Sequence, residues 1–201
     1  MSRRGAFFIV LGALALGAVL GLVWAFWHGG GARSGPAPTP EPPPPPSQET
    51  FDLYFPGGDG LLHAEPRDLA VPADPRARAR AIVLGLLDGP RSEGLVRPFP
   101  QEVGLLDLYL TPDGVAYVDL GAEGMDRPPA GGSLAEMMRA YSVVDSLVLD
   151  LPEVDRVALL WNGVQPRSLS GHLDTSVALP VKRDLLAPGA ARAAGRPKAE
   201  G

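Results

Sequence analysis

The chain contains no cysteine, which excludes a disulfide framework, a thiolate metal site, a cysteine nucleophile and the lipid attachment of a lipoprotein. Histidine is nearly as scarce: His28, His63 and His172 are the only ones, so a metal centre or a catalytic base has few residues to draw on. No lysine follows the glycines at 57–60, so they form a turn rather than a phosphate-binding loop, and the G-x-S-x-G nucleophile pattern is missing. Positive charge is also short where the chain looks globular. Residues 51–187 hold 20 Asp and Glu against 12 Lys and Arg, a net charge of −8. That balance repels a phosphate backbone and argues against a nucleic-acid partner.

What is present is strongly segmented. Residues 6–27 carry no charge, and 22 residues at about 1.5 Å each span roughly 33 Å, the thickness of the hydrocarbon core. Arg3 and Arg4 precede this run and no basic residue follows until Arg33. The positive-inside rule therefore keeps residues 1–5 cytoplasmic and exports the rest. Trp24 and Trp27 suit the outer interface. A cleavable signal peptide has a shorter apolar region ending in small residues, so an uncleaved single-pass anchor is expected. Gly17 and Gly21 form a G-x-x-x-G pair, but glycine and alanine are common along this helix and ordinary small-residue content accounts for them.

Residues 28–50 are rich in glycine and proline, including Pro36, Pro38, Pro40 and the run at 42–46. Proline fixes φ and lacks an amide donor, so an extended spacer of polyproline II type is expected, lifting the remainder of the chain off the bilayer. A PxxP ligand for a cytoplasmic module would stand on the wrong side of the membrane. At the other end, residues 188–201 combine Ala and Gly with Arg192, Arg196 and Lys198 and read as a disordered tail.

Between them lies a patterned domain. Phe51, Leu53 and Phe55 alternate with Asp52 and Tyr54 before a Pro56 to Gly60 turn, and 61–71 reads as an edge or irregular strand because of Pro66 and Pro72. Asp74 and Pro75 start a helix that Gly89 and Pro90 end, with Arg76, Arg78 and Arg80 on a solvated face. Strands at 103–111 and 115–120 flank Pro112, Asp113 and Gly114 and should pair antiparallel. Ser133 and Glu136 are spaced as a capping box for a second helix, whose core face is Leu134, Met137, Met138, Tyr141, Val144, Val148 and Leu151. A buried strand at 154–161 closes at Asn162 and Gly163. The order ββαββαβ predicts an α+β fold, a small mixed or antiparallel sheet with two helices packed on it, rather than alternating parallel crossovers.

The chemistry-bearing residues have structural explanations that outweigh the functional ones. His172 and Asp174 could be a base and its orienter, but no nucleophile accompanies them. Asp52, Asp59 and Glu65 could be imagined around calcium, without a regular oxygen ladder. Asp119 and Glu123 stand near a strand end, where capping or solvent accounts for them, and Ser133 serves as a helix cap. No catalytic, cofactor-binding or metal-ligating residue is assigned, and no enzyme or cofactor is expected.

These pieces together resemble the GerMN, or sporulation and spore germination, domain found in bacterial envelope proteins. The likeness runs from Phe51 to Leu186. It rests on Leu53, Tyr54, Phe55, Pro56; on Leu86, Leu87, Asp88, Gly89, Pro90; on Phe99, Pro100; on Val115 through Leu120; on the Gly132, Ser133 helix entry; and on Leu160, Trp161, Asn162, Gly163. Asn162 departs from the aspartate that is frequent before the late glycine, and a helix replaces the usual lipobox or signal. The resemblance implies an extracytoplasmic domain of the envelope, with no catalytic residues to carry over. The expectation is a non-catalytic interaction module on a single-pass anchor in the cell membrane. Its N-terminus is cytoplasmic and its domain, at 51–187, extracytoplasmic or periplasmic; its partner is an envelope protein, a second copy, or cell-wall material. The alternative is a ligand- or cell-wall-glycan-binding sensor, though only residues 1–5 would be available to receive its signal.

Overall fold

The computed structural model describes residues 47–71 and 74–190. The expected anchor at 6–27, the residues before it, most of the expected spacer, up to residue 46, and the expected tail from 191 lie outside the described residues. Among the described residues no helix is long and apolar enough to cross a membrane. The elements are β1 (Ser47–Pro56), β2 (Leu62–Val71), α1 (Pro75–Asp88), β3 (Gly104–Leu110), β4 (Val115–Gly121), α2 (Ser133–Asp150), β5 (Arg156–Trp161) and β6 (Leu179–Pro180), followed by a 3-10 turn at Arg183–Leu185. The fold is α+β in the order read from the sequence. β6 is added to it, at two residues too short to leave a periodic signal.

β1 and β2 form a ribbon paired along its whole length, from Ser47 opposite Val71 to Pro56 opposite Leu62. The strand starts at Ser47, inside the segment expected to be spacer; Gln48, Glu49 and Thr50 are polar and show no alternation, so their pattern did not mark a strand. Thr50 Oγ1 nevertheless donates to Asp68 across the ribbon. Pro66 does not interrupt β2. Its partner Asp52 turns its amide away from β2 to Asp150 Oδ2 at 2.7 Å, so the nitrogen of Pro66 also points away from the ladder and its missing proton costs no pairing.

The free edge of β1 is covered by α2. Asp150 accepts from Asp52 N and Ser146 Oγ from Tyr54 N at 2.9 Å. Positions four apart on a helix and two apart on a strand both advance by about 6 to 7 Å, so the two series stay in step. The next pair in that series is Ser142 and Pro56. Proline has no amide proton, and the Ser142 hydroxyl is one of the buried groups without a partner.

Helix α1 begins as the sequence indicated: Asp74 accepts from Ala77 N at 2.8 Å, Pro75 opens the first turn, and Gly89 closes the helix at φ 86. Its arginines are not merely a solvated face. Arg76 donates to Leu108 O and Asp107, and Arg78 to Glu49 while lying over Phe51. They tie the helix to both sheets, which spacing along α1 alone could not reveal.

β3, β4, β5 and β6 form a second sheet in that order. β3 pairs antiparallel with β4, as expected, through a turn in which Gly114 has φ 79. β4 and β5 are parallel, so the sheet is mixed, one of the two arrangements expected from the sequence. The 18 residues of α2 run back along the sheet and start β5 at the same end as β4. Residues buried to 2% exposure or less, Leu108, Val118, Leu120, Val157 and Leu159, form the inner face under the helices.

Helix α2 contacts β1, β5 and β6, so it is buried on more than one side. Ala140, Ser142, Val143, Asp145 and Ser146 are inside along with the expected Tyr141 and Val144, whereas Leu134, expected in the core, is 51% exposed. A single apolar stripe underestimates a helix shared by two sheets. The chain then returns as a strap: Lys182 N donates to Asp145, Leu186 bridges Leu62, and Ala187 N donates to Leu62 O at 2.9 Å. Ala190 is still buried, so the folded part reaches past residue 187.

Candidate functional site

The structure separates the residues that a catalytic or calcium site would need together. His172 does not meet Asp174. Its Nδ1 donates to Glu136 at 3.0 Å, while Asp174 accepts from the amide and hydroxyl of Ser176, which hold its carboxyl below the usual range. His63 Nε2 lies 3.1 Å from Asp59, a contact that lowers that carboxyl too. Glu65 is buried beside Arg67, with Nε to Oε1 2.5 Å, and gathers the amides of Arg91 and Ser92. Burial would raise its pKa, but these donors outweigh burial and lower it. Asp119 accepts from Gly163 N at 2.9 Å and pins the turn after β5. Among the described residues no three His, Asp or Glu side chains converge as metal ligands.

The capping box is also replaced. Gly132 is the N-cap of α2 and makes no side-chain cap bond. Glu136 instead turns inward, fully buried, and accepts from Ser168 Oγ (2.5 Å), Ser170 N (2.7 Å) and His172 N (2.8 Å). Burial alone would raise its pKa; these donors overturn that and hold it at about 2. A signal was available in the sequence, since Glu136 falls in line with Ala140, Val143 and Leu147 on a helical stripe that proves buried.

The loop that Glu136 gathers forms one wall of a cleft of about 630 Å³. The other wall is the β4 to α2 connection, with Asp126, Arg127 and Gly131; Trp161 and Val164 complete the lining. The cleft thus lies beyond the carboxyl ends of the two parallel strands, where open sheets with helical crossovers leave a crevice. Both walls are fastened. Trp161 Nε1 and Asn162 Nδ2 each donate to Met125 O at 3.0 Å, Arg139 Nη1 donates to Pro129 O at 2.7 Å, and Ser170 Oγ donates to the same carbonyl. Asn162, at φ 50, thereby makes a bond that an aspartate could not donate.

A second surface is the outer face of the four-stranded sheet. Tyr109 stands directly opposite Tyr117, and Asp107 opposite Asp119, which neighbours Leu160 on β5. Tyr109 is 56% exposed, Tyr117 39%, and Leu106 54%. Asp107, Tyr109, Tyr117, Asp119 and Leu160 border an open depression of about 380 Å³. The hairpin centred on Asp113 fixes these pairs, so they were readable as partners; that no other described residue covers them was not.

Comparison with known proteins agrees with this architecture. Residues 52–167 match the family model Germane, described as sporulation and spore germination. The tandem GerMN domains of the sporulation protein GerM from Bacillus subtilis align with TM-score 0.53 and 19% identity, over 68% of this chain and 47% of that one. The first GerMN domain of the same protein aligns with TM-score 0.50 and 18% identity, over 68% of this chain and 98% of that one. No curated protein sequence matches. At these identities the structural likeness speaks for the fold; the family match extends over more than half of the chain, which therefore belongs to the Germane (sporulation and spore germination) family.

Proposed function

We propose that this chain is a non-catalytic protein-interaction module of the sporulation and germination type, anchored in a bacterial cell membrane and held outside the cytoplasm. The observation that carries the reading is the uncovered sheet face. One side of β3–β5 is packed beneath two helices, while the other presents Leu106, Tyr109 and Tyr117 to solvent. Exposed tyrosines beside aliphatic side chains are the composition of a recognition surface, since they offer large contact area at small entropic cost. The apolar run at 6–27 and the proline-rich spacer support the anchored, exported arrangement.

The test is a photo-crosslinking residue placed at Tyr117 in the full chain in intact cells, with the same residue at exposed Gln101 as control. A discrete envelope protein captured at 117 and not at 101 supports the reading; equal, diffuse capture at both counts against it. A reporter fused after Gly201 should be active only outside the cytoplasm. Turnover of peptidoglycan or an ester by the full chain, abolished by one side-chain change, would overturn the non-catalytic assignment. The cleft favours a second reading, a cell-wall-glycan-binding sensor, which saturable binding of a soluble cell-wall disaccharide would support.

A further inference from the structure

The cleft at the ends of β4 and β5 has an arginine on each of its two walls. Arg67, Arg76, Arg78, Arg97 and Arg139 are each tied to a carbonyl or a carboxylate. Arg127 and Arg167, one on each wall, are exposed, and neither guanidinium donates a hydrogen bond within the described residues. Two uncommitted planar forks therefore face one cleft in a domain with net charge −8, and a guanidinium fork matches a carboxylate with two parallel bonds. The exposed apolar surface of the lining is Val164, 67% exposed, with Trp161 and Leu169 buried behind it. The walls are already fastened through Glu136, Arg139 and the Met125 carbonyl, so little ordering is left for a ligand to impose.

Acidic groups narrow the choice of ligand. Asp126 lies beside Arg127 in the lining, and Asp174 is close enough to Arg167 for its carboxyl to feel that charge. A polymer dense in phosphate would be repelled by these groups, whereas separate carboxylates with an apolar side chain between them would fit. Resting on the reading of the domain as an interaction module, we propose that this cleft seats an extended acidic peptide of a partner protein, its carboxylates on Arg127 and Arg167 and an apolar side chain over Val164.

The test uses the full chain, isotope-labelled in detergent micelles, titrated with a blocked pentapeptide of alternating glutamate and leucine. Its glutamine and leucine counterpart, inorganic phosphate and a cell-wall disaccharide are titrated in parallel. The glutamate peptide should shift amides within 126–131 and 164–171, and the glutamine peptide should bind about ten-fold more weakly. Arg127→Ala with Arg167→Ala should weaken the glutamate peptide at least as much, and Arg127→Lys with Arg167→Lys should lie between. Unchanged amides on the sheet face would show that the variants are folded. The proposal is overturned if no amide shifts at about 10 mM peptide, if the double alanine variant binds as well as the parent, or if phosphate or the disaccharide binds these amides more tightly than the peptide. Crosslinking at Tyr117 involves neither arginine, so it can succeed while this proposal fails.

Discussion

Glu136 and Asp145 sit on the same helix, both fully buried, and titrate in opposite directions. Burial raises the pKa of each. At Glu136 the Ser168 hydroxyl and the amides of Ser170, His172 and Leu173 outweigh burial and hold the carboxyl at about 2. At Asp145 burial prevails and raises it to about 7, offset only in part by the Lys182 amide and the charges of Arg183 and Lys182. One oxygen of Asp145 accepts from Lys182 N at 3.1 Å and the other has no partner. The N-terminal end of α2 therefore meets a loop that supplies donors, and its middle meets a strap that supplies one. Asp145 is also the more deeply enclosed of the two, so few donors and greater depth act together to raise it, while several donors lower Glu136.

Glu136→Ala should destabilise the domain most. Ser168, Ser170 and His172 would lose their shared acceptor, at about 1 to 3 kcal/mol for each stranded group. A total on the order of 5 kcal/mol is a large part of the stability of an ordinary domain. Urea unfolding at neutral pH should show it, and hydrogen exchange should accelerate within 166–173. An unchanged midpoint would mean that the loop is held by something other than Glu136. The pH dependence has a sign: a depressed carboxyl contributes stability above its unfolded pKa of 4.5 that disappears as pH falls through about 2.

Asp145→Asn should act the other way. A carboxyl raised from 3.8 to about 7 costs the native state nothing below 3.8, and its penalty is complete once pH has risen through about 7. Three pKa units correspond to at most about 4 kcal/mol. The asparagine variant keeps an acceptor for Lys182 N, so it should match the parent near pH 4 and exceed it near pH 8. Parallel stability curves for the two proteins across that range would remove the difference between Asp145 and Glu136.

The same contrast explains what the sequence could and could not disclose. Local signals survived: Asp74 with Pro75 opens α1, Gly89 ends it, and the Asp113 turn pairs Tyr109 with Tyr117. Those features depend on neighbours within one element or one turn. Glu136 was misread because a capping box and a buried loop anchor share their spacing, and only the position of residues 168–172, remote in the chain, distinguishes them. The strand at 47–50 lacked alternation, and the parallel pairing of β5 depends on where α2 delivers the chain. The cleft combines two loops whose proximity no periodicity encodes.

A subtler version of the comparison uses two serines one helical turn apart. Ser146→Ala strands the buried amide of Tyr54 and should cost about 1 to 3 kcal/mol. Ser142→Ala removes a hydroxyl that has no partner opposite Pro56, and should be neutral or slightly stabilising. Urea midpoints of the two variants settle the matter, because equal losses would show that the step between α2 and β1 does not continue to Pro56.

The smallest expected effect carries the comparison to the surface. Asp107 also gathers donors: the Leu108 amide and the Arg76 guanidinium hold its carboxyl below the usual range. Here both side chains are at least half exposed, and water can replace either partner, so Arg76→Ala should hardly move the urea midpoint. What Arg76 also does is cover Leu108 O, at 2.7 Å, on the edge strand β3. Uncovered edges are templates for pairing with another chain. The variant should therefore sediment as the parent does when dilute and associate more when concentrated. A large loss of stability without any change in association would show that a hydrogen-bonded donor at the surface counts for as much as one in the core.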